Sequence, residues 1–271
     1  MVKTMPDWID RRVFLQRTAV LIPFMHAAGT STIMGQSKPT SLQTPSNGRI
    51  SRLKLQSHRL PETAKFYRET IGLPVNVASD GSFTMTCGET LIEFHKAEGE
   101  SQPFYHFAFN IPHNKLDKAI EWMKPRHPLF VREDGSVVFH FERWDAHAVY
   151  FIDPSGNIVE FIARHTLKND APGSFDVRDI LYASEIGVVT PDVDATADNL
   201  KRGLDLDNYK TASDGFAPIG DEHGLFIVFK VGRIWLASDR GTSVFPAEAT
   251  VRGAAKPLSI DRARFAVNAG D

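Results

Sequence analysis

The 271-residue sequence is poor in the features that identify several common enzyme classes. It contains one cysteine, Cys87, which excludes an intrachain disulfide and a paired-cysteine metal knuckle. It also lacks a glycine-rich phosphate loop and a nucleophile elbow, so a nucleotide enzyme or a serine hydrolase is not favoured. Because 31 Lys and Arg nearly balance 33 Asp and Glu, the net charge of −2 gives no attraction for nucleic acid. A small molecule is the expected partner.

Near the N-terminus, the chain has only a short apolar run. Residues 19–25 are apolar but include Pro23, and the run falls short of the roughly 20 residues that span a bilayer as a helix. We therefore expect no permanent membrane anchor.

The same region has the order of an export signal. The pair Arg11 and Arg12 precedes the apolar run, and small residues at 27–29 follow it. This order is typical of the bacterial twin-arginine signal, and it predicts a periplasmic protein cleaved between Ala27 and Gly35. An amphipathic N-terminal helix packed on the domain is the alternative.

Composition divides the rest of the chain into segments. Residues 1–35 form the predicted signal, and residues 36–49, rich in Ser, Thr, Pro and Gln, form a linker. Two units with the same order of predicted strands and helix fill residues 50–166, and a third such unit fills residues 180–252. Residues 253–271 lack sustained periodicity and are expected to form a tail that frays.

Each unit reads as a strand, a helix and then further strands separated by Gly or Asp-Gly turns. The units begin at Ile50, Tyr105 and Ser184, and the helix between Asn114 and Met123 has regular apolar spacing. The fold class is therefore α+β, with paired βαβββ modules that form a cupped mixed sheet and a third βαβββ-like module. The third unit should pack on the first pair or find its partner in a homodimer.

Alternation along the strands predicts one polar sheet face. Leu53, Leu55, Phe107 and Phe109 fall on the opposite, apolar face, which suits packing beneath helices. The polar positions are Arg52, Lys54, Gln56, Glu93, His95, His106 and Asn110. This face could hold a ligand or a metal ion.

Two motifs carry a family resemblance. Residues 65–73 resemble the Phe-Tyr-x-x-x-Leu-Gly-Leu helix end of the vicinal oxygen chelate superfamily, which includes glyoxalases, bleomycin resistance proteins and extradiol dioxygenases. Residues 149–161 resemble its closing strand pair, Tyr-Phe-x-Asp-Pro-x-Gly-Asn-x-Ile/Val-Glu. Residues 106–112 and 220–225 are similar to segments of uncharacterised bacterial glyoxalase-like proteins.

The resemblance implies a metal site built by paired units, with ligands from opening and closing strands. Applied to the first two units, it implies Arg52, Glu93, His106 and Glu160. The last three could bind iron, manganese or zinc, whereas a guanidinium has no lone pair to donate. The alternative is a structural ion-pair cluster of Arg52 with Glu93 or Glu160.

A further set of side chains, His140, Trp144 and His147, lies near the last hairpin of the second unit and is a candidate substrate-binding group. A half-exposed hairpin with a packed indole is the alternative.

Two functions are consistent with these residues. One is a metal-dependent lyase or dioxygenase that acts on a small oxygenated or aromatic compound. The other is a metal-free protein that sequesters a small molecule, with Arg52 closing the ancestral metal site and serving as an anion anchor.

Overall fold

The computed structural model describes residues 48–210, 212–235, 238, 240–254, 256–260 and 264–270. These residues fall in a single compact unit of the chain. The predicted signal, 1–35, lies outside them, as does nearly all of the predicted linker. Within the described residues, no helix has the length and hydropathy needed to cross a membrane.

The described residues form three α-helices, two short 3₁₀ helices, Glu142–Trp144 and Val177–Asp179, and fourteen strands. The helices are α1, Leu60–Lys65, which continues as a wider π-helical segment, Phe66–Ile71; α2, Leu116–Met123; and α3, Val193–Leu204. The strands are β1 Ile50–Ser57, β2 Val75–Val77, β3 Phe83–Cys87, β4 Thr90–Lys96, β5 His106–Ile111, β6 Phe139–Phe141, β7 Ala146–Ile152, β8 Ile158–Arg164, β9 Tyr182–Thr190, β10 Phe216–Asp221, β11 Gly224–Lys230, β12 Ala247–Arg252, β13 Leu258–Ile260 and β14 Phe265–Gly270.

The strands form two mixed seven-stranded sheets, which confirms the α+β class. The first sheet has the order β13-β14-β12-β1-β4-β3-β2, and the second has the order β10-β11-β9-β5-β8-β7-β6. Each sheet joins two units through antiparallel opening strands, β1 with β12 and β5 with β9.

This pairing differs from the one predicted. The first two units lie in different sheets: the second unit pairs with the third, and the first pairs with an incomplete fourth unit, β12–β14. Residues 253–271, predicted to be a tail, contain β13 and β14. Alternation within a strand predicts its faces but does not predict which strand edges meet, so local patterns could not choose the partners.

Both sheets contribute their apolar faces to one hydrophobic core. Leu53 and Leu55 are fully buried there, as alternation predicted. The π-helical segment after α1 contacts both sheets, because Tyr67 stacks on Phe94 of the first sheet while Phe66 contacts Phe151 and the Tyr67 hydroxyl donates to Asp153. The polar faces therefore point away from the shared core.

Candidate metal centre

Register places three potential metal ligands side by side on the polar face of the second sheet. Strand β5 lies between β8 and β9, and Ala108 is paired with Glu160 on one side and with Glu185 on the other. His106 lies two residues before Ala108 and therefore shares its face. The small alanine side chain leaves room for the two carboxylates and the imidazole to approach one another.

The three side chains converge and are buried. His106 Nε2 lies 3.5 Å from an oxygen of Glu160 and 3.6 Å from an oxygen of Glu185. One ligand atom from each residue lies within 4.8 Å of the other two. Their side chains are at most 6% exposed.

The orientation of His106 decides what the cluster can bind. Its Nδ1 lies 3.0 Å from the carbonyl oxygen of Ile158. Because a carbonyl oxygen can only accept, Nδ1 carries a proton, which leaves Nε2 as the one ring nitrogen available to donate an electron pair, and it faces the two carboxylates. Three electron-pair donors that face one another require a proton or a cation between them. A ligand histidine held by a backbone carbonyl is also the usual arrangement at metal centres.

Glu160 has the most perturbed environment in the cluster. Burial, and then the nearby Glu185 carboxylate, raise its pKa well above the ordinary value of 4.5, while a hydrogen bond with Tyr150 and the charge of Arg164 oppose this rise. Without a cation, the neutral carboxylic acid is therefore favoured. Binding of a cation would release that proton.

Arg164 orients Glu185 and balances its charge. The guanidinium is fully buried and donates to one carboxylate oxygen of Glu185, whereas the other oxygen faces His106. Asn110 accepts a further hydrogen bond from Arg164 Nε at 3.3 Å. The pair leaves Glu185 one oxygen with which to bind a metal ion.

An indole covers the cluster. The ring of Trp235 lies 5.1 Å from that of His106, and Trp235 is 4% exposed. Gly187 makes this approach feasible, since a Cβ there would lie 2.7 Å from the indole. Trp235 thus shields the centre from water.

One imidazole and two carboxylates fit iron(II), manganese or zinc. Two ligand atoms bound at 2.0–2.1 Å with a tetrahedral angle lie about 3.4 Å apart. The two separations measured from His106 Nε2 are close to that distance. The residues present therefore fit a divalent cation.

The comparisons assign a family to part of the chain. The Glyoxalase/Bleomycin resistance protein/Dioxygenase superfamily matches residues 49–161. This stretch belongs to that superfamily. No curated protein matched the chain.

Two solved structures are similar to a larger part of the chain. A Bacillus subtilis protein whose activity as a dioxygenase is proposed has a TM-score of 0.51 at 17% identity, over 76% of this chain and 71% of its own. Glyoxalase I from Zea mays has a TM-score of 0.45 at 16% identity, over 75% and 74%. At such identities, the Bacillus likeness shows the fold alone.

Of the ligands that the superfamily resemblance implied, His106 and Glu160 come together, whereas Glu93 does not join them. Glu93 lies on β4 of the first sheet, where it accepts a 2.6 Å hydrogen bond from Arg52. Arg52 is half exposed there, so it does not close the centre on the second sheet. The three side chains predicted to lie together do not converge, because the first two units lie in different sheets.

The predicted substrate-binding group is divided by the second sheet. Ala163 lies three residues after Glu160 on β8 and therefore points to the opposite face of the sheet. His147 pairs with Ala163 and His140 pairs with His147, so both histidines lie on the face opposite the centre. Trp144 is closer to the centre, since its ring lies 5.7 Å from the Arg164 guanidinium.

Glu185 is the candidate ligand that sequence reasoning missed. It lies on β9, the opening strand of the third unit, where the superfamily pattern expects a ligand. Alternation with buried Ile186 and Val188 also placed it on the polar face. The signal was present, but its use required the pairing of β9 with β5.

Proposed function

We propose that the protein is a metal-dependent enzyme in which His106, Glu160 and Glu185 hold one divalent cation that binds the vicinal oxygens of a small substrate. The observation that carries the proposal is the convergence of three donor atoms within 4.8 Å of one another. The superfamily assignment of residues 49–161 supports it. A bound cation would act as a Lewis acid on the substrate oxygens.

The protein side chains would divide the remaining tasks. The imidazole of His106 and one oxygen of Glu185 hold fixed positions, because Ile158 and Arg164 bind their other polar atoms. Glu160 has a raised pKa, so it is the group best suited to take up or release a proton during the reaction. Trp235 would exclude bulk water.

The surroundings favour a flat or aromatic substrate. The ring of Tyr150 lies 6.2 Å from that of His106, and Phe139 packs on Tyr150. Tyr150 is on β7, whereas Gly187 and the indole above it are on the other side of β5. Aromatic walls bind planar compounds through ring faces and edges. A planar substrate of a lyase or dioxygenase with two adjacent oxygens would both chelate the cation and pack against the aromatic rings.

A bidentate probe tests this proposal. Tropolone carries two adjacent oxygens on a planar ring, and its absorption changes when it chelates a cation. We expect the full chain, purified without chelator and loaded with Mn²⁺, to bind one tropolone. The metal-free protein and the Glu160→Gln variant should not bind it. Tropolone binding that is independent of the metal would support the metal-free sequestering protein instead.

A further inference from the structure

Four of the ten histidines form a row across the second sheet, on the face opposite the candidate metal centre. Ile111 of β5, Ala163 of β8, His147 of β7 and His140 of β6 are successive cross-strand partners. His113 and His165 lie two residues beyond Ile111 and Ala163. The row, in the order of the strands, is His113, His165, His147 and His140.

The side chains in this row are in contact. The rings of His140 and His147 stack at 4.3 Å with 4° between their planes. His147 Nδ1 lies 2.8 Å from His165 Nε2. The ring of His113 lies 5.8 Å from that of His165, and His113 Nε2 is 3.0 Å from a carboxylate oxygen of Asp170.

We propose that His147 and His165 form a second transition-metal site, selective for cations that prefer imidazole, with copper(II) the tightest. Two nitrogens bound to one cation at about 2.0 Å and a right angle lie about 2.8 Å apart, which matches the measured separation. Square-planar and tetragonal geometries of this kind suit copper(II), which also heads the affinity order of divalent ions.

The surroundings of His147 favour the neutral ring that a cation needs as a ligand. Burial, followed by the proximity of His140 and His165, lowers the pKa of His147, so its ring is neutral and has a lone pair at neutral pH. The cation would replace the proton that His147 and His165 share, after a small rotation of either ring. Both residues are partly exposed, which leaves the site open to ions from solution.

The flanking histidines lie beside this pair, but among the described residues they do not complete a set of three converging ligand atoms. His140 stacks on His147, and His113 Nε2 lies 3.0 Å from a carboxylate oxygen of Asp170. The row lies on the other face of the sheet from His106. The two sites can therefore be occupied and removed independently.

Electron paramagnetic resonance of the copper(II)-loaded full chain tests the proposal. The candidate centre offers one nitrogen donor, whereas the histidine row offers at least two, so nitrogen hyperfine lines distinguish the sites. We expect a signal from at least two nitrogens in the wild type and in Glu160→Gln. Either His147→Gln or His165→Gln should abolish it and weaken copper binding at least tenfold.

The control variant is His95→Gln, which removes a partly exposed histidine from the first sheet and should leave the signal unchanged. Thermal melting of each variant verifies that it is folded. A wild-type signal from one nitrogen only, or a multi-nitrogen signal that persists in the His147→Gln/His165→Gln double variant, would overturn the proposal. Neither result bears on the centre at His106.

Discussion

Glu160 and Glu185 are cross-strand partners of the same residue, Ala108, on opposite sides of β5. Two buried carboxylates in one row are unfavourable unless their charges are compensated. Arg164 compensates Glu185, so a proton or a cation must compensate Glu160. The stability of the fold, the protonation of Glu160 and the binding of a cation therefore depend on one another.

Glu160→Gln should stabilise the metal-free protein at neutral pH. Burial raises the folded-state pKa of Glu160, so its contribution to stability is complete below its ordinary value of 4.5 and is lost as the pH rises through the folded-state value. The amide undergoes no such loss, so we expect the free energy of unfolding at pH 7 to rise by on the order of 1 kcal/mol or more. Urea unfolding of both proteins at pH 4 and pH 7 measures it. Equal pH dependence in the two proteins would contradict the burial argument.

Gly187→Ala should displace the indole of Trp235, because the new methyl group would lie 2.7 Å from the ring. We expect a loss of about 1–3 kcal/mol in stability, as overpacking commonly causes. Trp235→Phe removes the outer atoms of the indole that cause the clash. The double variant should therefore lose less than the sum of the two single variants, and a double-mutant cycle measures the coupling. Strict additivity would mean that the ring does not rest on Gly187.

Sequence reasoning identified the sheet faces and two of the three clustered side chains, because both depend on local patterns. Alternation placed His106 on the polar face, and the closing-strand motif indicated Glu160. It chose Glu93 rather than Glu185, since the choice depends on a long-range pairing of β5 with β9 that no local pattern encodes. The incomplete fourth unit was missed for the same reason.

Export remains a prediction, and it rests on Arg11 and Arg12 ahead of the apolar run. Replacing both arginines by lysine should leave the uncleaved precursor in the cytoplasm, because the twin-arginine route recognises the arginine pair. Cell fractionation followed by mass measurement of the N-terminus distinguishes precursor from mature protein. Normal periplasmic accumulation of the variant would argue against this route.

Calorimetric titration with Mn²⁺ tests the central claim most directly, because this ion prefers carboxylate sites to a row of histidines. Wild type should bind one Mn²⁺ per chain, and binding should weaken as the pH falls because Glu160 retains its proton. Glu160→Gln should lower the affinity at least tenfold, whereas the matched Glu93→Gln control on the first sheet should leave it unchanged. No binding by wild type, or a loss in Glu93→Gln but not in Glu160→Gln, would contradict the assignment of the centre to His106, Glu160 and Glu185.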